Sequence, residues 1–123
     1  MYQLQIKRIY QPIEASDGFR ILVDRLWPRG IKKEDAHINL WEKRITPTPA
    51  LRKWFNHQPE KFAQFALQYQ QELTQNPQSQ DFLAICQQQL EQQNVTLLYA
   101  AKDPECNHAL ILSHWILSQL YHT

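Results

Sequence analysis

The sequence of 123 residues has little glycine, little cysteine and no excess of charge of either sign. With only two glycines, it contains neither the glycine-rich phosphate loop nor the dinucleotide-binding fingerprint, because both motifs need several glycines close together. The two cysteines lie outside any CxxC spacing, and a chain of this length buries enough apolar surface to fold without a disulfide. We therefore expect reduced cysteines and a cytoplasmic location.

Charge, histidine spacing and hydropathy argue against further classes of protein. The 13 basic and 12 acidic side chains nearly cancel, so the chain lacks the positive charge that is typical of nucleic-acid-binding proteins. The five histidines form neither an HExxH motif nor a paired set of metal ligands. No apolar run reaches the roughly 18 residues that a membrane-spanning helix needs. The sequence thus predicts no metal, no cofactor and no membrane partner, and it leaves the oligomeric state open.

Apolar patterns predict a single α/β domain over residues 1–123. Two nearly continuous apolar runs, 19–26 and 95–101, are typical of central strands that are covered on both faces. Alternating apolar residues near the N-terminus predict a third strand. The long segment between the two central runs suits a helical crossover, which joins parallel strands. We therefore expect a small, mostly parallel sheet flanked by helices in three layers.

Prolines and capping residues predict where the helices begin. Four starts carry such a signal, at residues 48–49, 59–60, 76–77 and 103–105. In the last of them, Asp103 supplies a capping side chain and the next residue is a proline suited to the first helical turn. The apolar residues within 32–44 show no clear helical or strand spacing, so this segment is interpreted as either helical or irregular.

The loop that follows the first central strand predicts an anion-binding surface. It contains two arginines, a tryptophan, a proline and a glycine. Ligands of parallel sheets bind beyond the C-terminal ends of the strands, so we expect Arg25 and Arg29 to hold a phosphate or carboxylate. Trp27 would stack on an attached ring. In the alternative interpretation, Arg25 pairs with Asp24 or Asp103 and the tryptophan packs against a helix.

The loop that follows the second central strand is the second candidate. It passes from Tyr99 through Lys102 to Asn107, towards the start of a helix, where backbone N–H groups and the helix dipole attract anions. We expect these three residues to contribute to the ligand site. His57 lies in a turn between helices and would lean over the same site. Alternatively, the carboxylate of Asp103 occupies the helix start as a cap.

Asp24 and His108 are the candidate groups for moving a proton in a catalysed reaction. The alternative for His108 is a structural hydrogen bond to the loop after the first central strand. A thiol near a helix start can act as a nucleophile, which draws attention to Cys106. However, residues two apart on a helix point roughly 200° apart, so Cys106 and His108 do not form a pair on one helix face. We therefore do not expect a catalytic thiol.

Several blocks of the sequence resemble one family. The blocks that carry this resemblance are 8–10, 17–20, 22–30, 51–57, 97–103 and 107–109. They are similar to the short, YeaO-like branch of the domain of unknown function 488 family, and the run Val-Asp-Arg-Leu-Trp-Pro-Arg-Gly is the most specific of them. The resemblance implies a small bacterial α/β protein and no established activity. The family pattern commonly has a histidine in place of Cys106, and only His108 matches the cysteine-histidine pair of longer relatives.

The sequence therefore supports three hypotheses about the same loops. In the first, the protein is an enzyme that binds a small phosphate or carboxylate at the strand ends, and His108 or Asp24 moves a proton. In the second, the pocket belongs to a module that senses a ligand or binds nucleic acid without turnover. In the third, the arginines only tie the loops together.

Overall fold

The computed structural model describes residues 2–121, which form a four-stranded sheet and five α-helices. The strands are β1 (Leu4–Arg8), β2 (Phe19–Leu22), β3 (Leu40–Trp41) and β4 (Val95–Tyr99). The helices are α1 (Lys33–Ala36), α2 (Pro49–Phe55), α3 (Phe62–Gln75), α4 (Ser79–Leu90) and α5 (His108–Leu120). Two short 3-10 turns, Ala15–Asp17 and Pro59–Lys61, precede β2 and α3.

All strand pairs of the sheet are parallel, in the order β1-β4-β2-β3. Val95 lies opposite Leu4 on one side and Phe19 on the other, which places β4 and β2 at the centre. The predicted α/β class and parallel sheet are confirmed. Because every strand runs the same way, the segments that follow them meet at one edge of the sheet.

The two faces of the sheet are covered differently. Alternate residues of β2 and β4, such as Ile21 and Leu97, point into the main core with α2 to α5. Leu22 and Leu98 point the other way, into a smaller apolar cluster that packs against Trp27 and other residues of the loops. The third layer of the fold is thus thin, because it consists of loops and the single turn α1.

A close backbone contact fixes the start of β2. Gly18 has a φ of 64°, and a Cβ atom there would come 2.1 Å from the carbonyl oxygen of Asn94. The next residue, Phe19, donates its backbone N–H to that same oxygen at 2.8 Å. Glycine is therefore required at this position for β2 to lie beside β4.

Three boundaries expected from the sequence are wrong. Helix α5 begins at His108, and its cap is Asn107, whose Oδ1 accepts from the backbone N–H of Leu110 at 3.0 Å. Asp103 instead accepts from the backbone N–H groups of residues 105 and 106, so it closes a separate turn. The first central strand ends at Leu22 instead of residue 26, and the second ends at Tyr99 instead of residue 101.

The other helix signals agree better with the structure. Thr48 caps α2 as predicted, since its side chain accepts from the backbone N–H of Leu51. The proline at 59 opens a 3-10 turn that leads into α3, and α4 begins at Ser79, just after the predicted break. No helix within residues 2–121 combines the length and apolar character needed to cross a membrane.

Candidate functional site

A groove of about 460 Å³ lies beyond the C-terminal ends of β2 and β3. One wall is the segment after β2, and the other is the segment that connects β3 to α2. The side chains that line it are Arg25, Leu26, Lys43, Arg44, Thr46, Pro47, Thr48 and Pro49. The groove therefore combines three cationic side chains with apolar surface from a leucine and two prolines.

Arg25 is a cation of this groove whose charge has no partner within residues 2–121. Its side chain is exposed, and it makes no hydrogen bond or ion pair within the part of the chain that the structure describes. The neighbouring Leu26 is 69% exposed, which is unusual for a leucine. The unpaired guanidinium of Arg25 and the exposed apolar side chain of Leu26 are therefore neighbours on this surface.

Arg44 and Lys43 are held in place by contacts within the protein. The Nε and Nη2 atoms of Arg44 each donate to the buried carboxylate of Glu42 at 2.9 Å, and its Nη1 donates to Gln78 at 2.7 Å. Glu42 raises the pKa of Arg44 further and offsets its charge. The ammonium of Lys43 lies 4.1 Å from the ring centroid of Trp41, a contact that leaves its charge uncompensated. The excess positive charge of the groove therefore comes from Arg25 and Lys43.

Asp24 and His108 meet at the ends of the two central strands. Asp24 Oδ2 accepts from the backbone N–H of Ala100 at 2.9 Å and so joins the ends of β2 and β4. His108 Nε2 lies 2.8 Å from the carbonyl oxygen of Val23 and 3.2 Å from Asp24 Oδ1. A carbonyl oxygen can only accept, so Nε2 carries the proton in this contact. The hydrogen bond expected in the structural alternative for His108 is present.

The Asp24 carboxylate is otherwise poorly satisfied. Its Oδ1 atom is buried and has no hydrogen bond of good geometry within residues 2–121. The imidazole of His108 lies beside this oxygen, with Nε2 at 3.2 Å. The pair can stabilise the junction of β2 and α5, and it can also exchange a proton.

Three other residues assigned to the ligand site serve packing or capping. Trp27 donates its Nε1 proton to the carbonyl oxygen of Ile31 at 2.6 Å and packs edge-on against Trp41, with the ring centroids 5.2 Å apart. Tyr99 is 5% exposed and belongs to the main core. Asn107 uses both polar atoms of its side chain, since its Nδ2 also donates to the carbonyl oxygen of Asp103. Their place in the structure explains them without a ligand.

The remaining three, Arg29, Lys102 and His57, are exposed, and none of them lines the groove. The carbonyl oxygen of Arg29 accepts from the hydroxyl of Tyr10, which anchors the backbone but leaves the guanidinium outside. His57 adopts a left-handed conformation with a φ of 54° and packs near the ring of Phe55. The structure thus brings Arg25 into the groove and pairs Asp24 with His108, and it leaves Arg29, Lys102 and His57 out of the groove lining.

The cysteine near α5 does not have the surroundings of a nucleophile. Partial burial, followed by the charges of Asp103 and Glu105, raises the pKa of Cys106 above its ordinary value. A raised pKa leaves less thiolate, which is the reactive form. Within residues 2–121, no three or more histidine, cysteine, aspartate or glutamate side chains are placed to hold a metal ion.

Sequence reasoning missed the second wall of the groove. Lys43 and Arg44 follow β3, which is only two residues long and gives no periodic signal. Thr46 and Thr48 also line this wall. The available signal was the basic pair at 43–44, which follows the apolar Leu-Trp pair at 40–41 after one acidic residue.

Comparisons with known proteins give the family. A family model described as the inactive DUF488-N3 subclade matches residues 3–123. Uncharacterized protein YeaO of Escherichia coli (strain K12) is 50% identical over 115 residues, which covers 94% of this chain and 97% of that relative. Uncharacterized protein Rv3073c of Mycobacterium tuberculosis (strain ATCC 25618 / H37Rv) is 46% identical over 71 residues, or 58% of this chain and 60% of the relative. No solved structure matches the chain. The resemblance found in the sequence is therefore confirmed, and the chain belongs to the inactive DUF488-N3 subclade, alongside YeaO-like proteins.

Proposed function

We propose that this protein binds a small anion that carries an apolar or aromatic group, and that it does so without turnover. The observation that carries the proposal is the free guanidinium of Arg25 on a groove that it shares with Lys43 and Arg44. An unpaired arginine on a concave surface has donors available for a ligand, whereas a structural arginine spends them on internal acceptors.

The composition of the groove suggests how a ligand would be recognised. The planar fork of Arg25 matches two oxygens of a phosphate or carboxylate, and Lys43 adds a second charge. Leu26 and Pro47 offer apolar surface to the rest of the ligand. A volume of about 460 Å³ is within the range of roughly 300–1,000 Å³ for small-molecule pockets.

Two features support binding without turnover. The family that contains the chain is described as inactive. In addition, both Asp24 and His108 are engaged in contacts that join β2, β4 and α5, which gives them a structural use. The proposal includes a cytoplasmic location, which suits the two free cysteines, Cys86 and Cys106.

Phenyl phosphate is a suitable probe, because it joins a phosphate to a flat apolar ring. In a ¹H–¹⁵N titration, we expect saturable shifts at the backbone amides of Arg25, Lys43 and Arg44, and weaker binding of inorganic phosphate. The phosphorus spectrum should show intact phenyl phosphate after prolonged incubation. Substitution Lys43→Ala should weaken binding, and Lys102→Ala, which removes an exposed lysine outside the groove, should not. Absence of shifts at the groove would refute the proposal.

A catalytic alternative rests on the distance of 3.2 Å between His108 Nε2 and Asp24 Oδ1. A carboxylate beside an imidazole can orient it and stabilise its protonated form during proton transfer. If this alternative holds, the phosphorus spectrum shows released inorganic phosphate, and His108→Gln abolishes the release.

A further inference from the structure

The outer edge of β1 is open. This strand is the first in the order of the sheet, so only one of its two sides pairs with another strand, β4. The carbonyl oxygen of Gln3 accepts from the backbone N–H of Val95 at 3.0 Å, which shows that the odd-numbered residues of this segment bond to β4. Because backbone groups alternate between the two sides of a parallel strand, the N–H and C=O groups of Leu4 and Ile6 point away from the sheet.

Other parts of the chain close both ends of this edge. At Arg8, the side chain of Gln11 accepts from the backbone N–H at 2.7 Å, and the backbone N–H of Gln11 donates to the carbonyl oxygen at 3.0 Å. Before β1, the backbone N–H of Tyr2 donates to the carbonyl oxygen of Leu90 at 3.4 Å. The open edge of β1 is therefore short and consists of the two N–H and two C=O groups that lie between these contacts.

The charged side chains of β1 do not protect this edge. Proteins commonly place free charges, lysine above all, along an edge strand to prevent it from pairing with another chain. In β1, the Nζ atom of Lys7 is bonded to the carboxylate of Asp17 at 2.9 Å and to the carbonyl oxygen of Pro12 at 2.7 Å. The Nε atom of Arg8 donates to the carbonyl oxygen of Ala101 at 3.1 Å. Both charges are thus engaged within the protein, and the edge is left without this protection.

Helix α5 packs against β1, and its exposed face is apolar. Leu117 is 40% exposed, and Tyr121, just after the helix, is 45% exposed. Leu110 and His114 lie on the same side, since the four residues follow one another at spacings of four, three and four. The helix contains no aspartate, glutamate, lysine or arginine. A helix that is apolar on nearly all sides is typically buried, so this face fits a partner surface that is also apolar and uncharged.

We propose that β1 and α5 form the interface of a two-fold symmetric dimer of this chain. Antiparallel pairing of β1 with its copy, centred on Gln5, places Leu4 opposite Ile6 twice and bonds every open N–H and C=O group of the edge. The same two-fold axis brings the uncharged face of α5 against itself, so no like charges oppose each other. A second copy supplies both a strand and an uncharged helix, whereas a bound peptide strand supplies only the first.

The spacing of the elements allows both contacts at once. Helix α5 contacts both β1 and β4, which places its axis roughly between the two strands. Neighbouring strands lie about 4.8 Å apart, so pairing of two β1 strands separates the two α5 axes by about 10 Å, close to the roughly 8–10 Å of packed helices. The 13-residue helix and the strand together present a face of roughly 20 Å by 20 Å. This is less than the roughly 800 Å² per partner of a standard interface, so the dimer is reversible.

Sedimentation equilibrium of the full chain tests the dimer. We expect a dissociation constant on the order of 10 μM for the wild type. Leu117→Lys places two lysines against each other across the two-fold axis and should raise this constant at least about tenfold, as should Tyr121→Lys. The matched control is Leu67→Lys, which changes a leucine that is 59% exposed on α3 and should leave the constant unchanged. Circular dichroism checks that all three variants are folded. A wild type that stays monomeric at about 1 mM, or equal effects of Leu117→Lys and Leu67→Lys, would overturn the proposal.

Hydrogen exchange at two protein concentrations tests the strand pairing itself. The backbone amides of Leu4 and Ile6 should exchange roughly tenfold more slowly at about 1 mM than at about 1 μM, because the dimer is populated only at the higher concentration. The amide of Gln5, which faces β4, should exchange at the same rate at both concentrations. A dimer in which the amides of Leu4 and Ile6 gain no protection would contradict the proposal. Protection of these amides that does not depend on concentration would also contradict it, because another segment of the same chain would then cover the edge.

Discussion

Arg20 and Arg25 lie at opposite ends of β2 and have opposite surroundings. Arg20 is buried on the sheet and bonded to Asp17 and to a backbone carbonyl. Arg25 lies just beyond the strand, is exposed, and has no bonded partner in the described chain. Two residues of one type, five positions apart, thus have a structural role at one end and donors free for a ligand at the other.

The difference follows from what each end of the sheet provides. At the N-terminal end, the turn Ala15–Asp17 folds a carboxylate back onto β2 and β1, where Lys7 and Arg20 both reach it. At the C-terminal end, the nearby carboxylate of Asp24 is already bonded to the backbone of Ala100 and faces His108. Arg25 makes no ion pair with this carboxylate, and its side chain lines the groove instead.

The comparison predicts its largest effect on stability. We expect Arg20→Ala to lower the free energy of unfolding by about 3 kcal/mol, because it removes one partner of a buried ion pair. Arg25→Ala should change it by less than about 0.5 kcal/mol, as is usual for exposed side chains. Urea unfolding of the two variants and the wild type measures both values. Similar losses in the two variants would show that the two arginines do not differ in the way described.

Asp17 gives the next largest effect, together with a dependence on pH. Burial alone would raise its pKa, but hydrogen bonds from Lys7, the backbone of Glu14 and Arg20 outweigh burial and lower the pKa below 3.8. A lowered pKa stabilises the fold above the pKa of the unfolded chain, and this contribution is lost as the pH falls through the folded value. We expect Asp17→Asn to lower the free energy of unfolding by about 2 kcal/mol at pH 7.

The acid unfolding of Asp17→Asn tests the sign of this contribution. The wild type should lose stability more steeply than the variant as the pH falls below about 4. Asp81→Asn, which changes an exposed carboxyl group on α4, should behave as the wild type does. If the free energy of unfolding depends on pH equally in Asp17→Asn and in the wild type over this range, the carboxylate is not stabilised by its cationic neighbours.

A smaller effect is expected for His108, at the same end of the sheet as Arg25. His108→Ala leaves the carbonyl oxygen of Val23 without its donor, so we expect a loss of about 1 kcal/mol in the free energy of unfolding. His114→Ala removes an exposed histidine from the same helix and should cost less than about 0.5 kcal/mol. Equal values for the two would mean that the contact between His108 and β2 does not stabilise the fold.

Local patterns predicted most of the fold, and they failed where the structure depends on distant contacts. Helices α3 and α4 have apolar residues at helical spacing, and β4 is a continuous apolar run, so each is visible in a short window. Strand β3 has only two residues and exists because it pairs with Ile21 and Leu22. At α5, Asp103 and Asn107 are both capping residues in type, and only the structure shows which of them caps the helix.

The candidate site was predicted only in part, because one of the strands that position it is not visible in a short window of sequence. Arg25 and the pair of Asp24 and His108 follow β2 and β4, whose apolar runs are recognisable in the sequence, so their position at the strand ends could be expected. Lys43 and Arg44 follow the strand that could not be recognised. Arg29 and Lys102 looked equivalent to Arg25 in sequence, but the path of each loop keeps them out of the groove.

The most direct test of the account is calorimetric titration of phenyl phosphate into the wild type, Arg25→Ala and Arg29→Ala. The two variants remove one exposed arginine each from the same loop and differ only in whether that arginine lines the groove. We predict that Arg25→Ala weakens binding by roughly tenfold, as expected for the loss of a charge-assisted hydrogen bond, and that Arg29→Ala changes it by less than about twofold. Equal affinities for the wild type and Arg25→Ala would contradict the central claim that Arg25 is free in order to bind an anion.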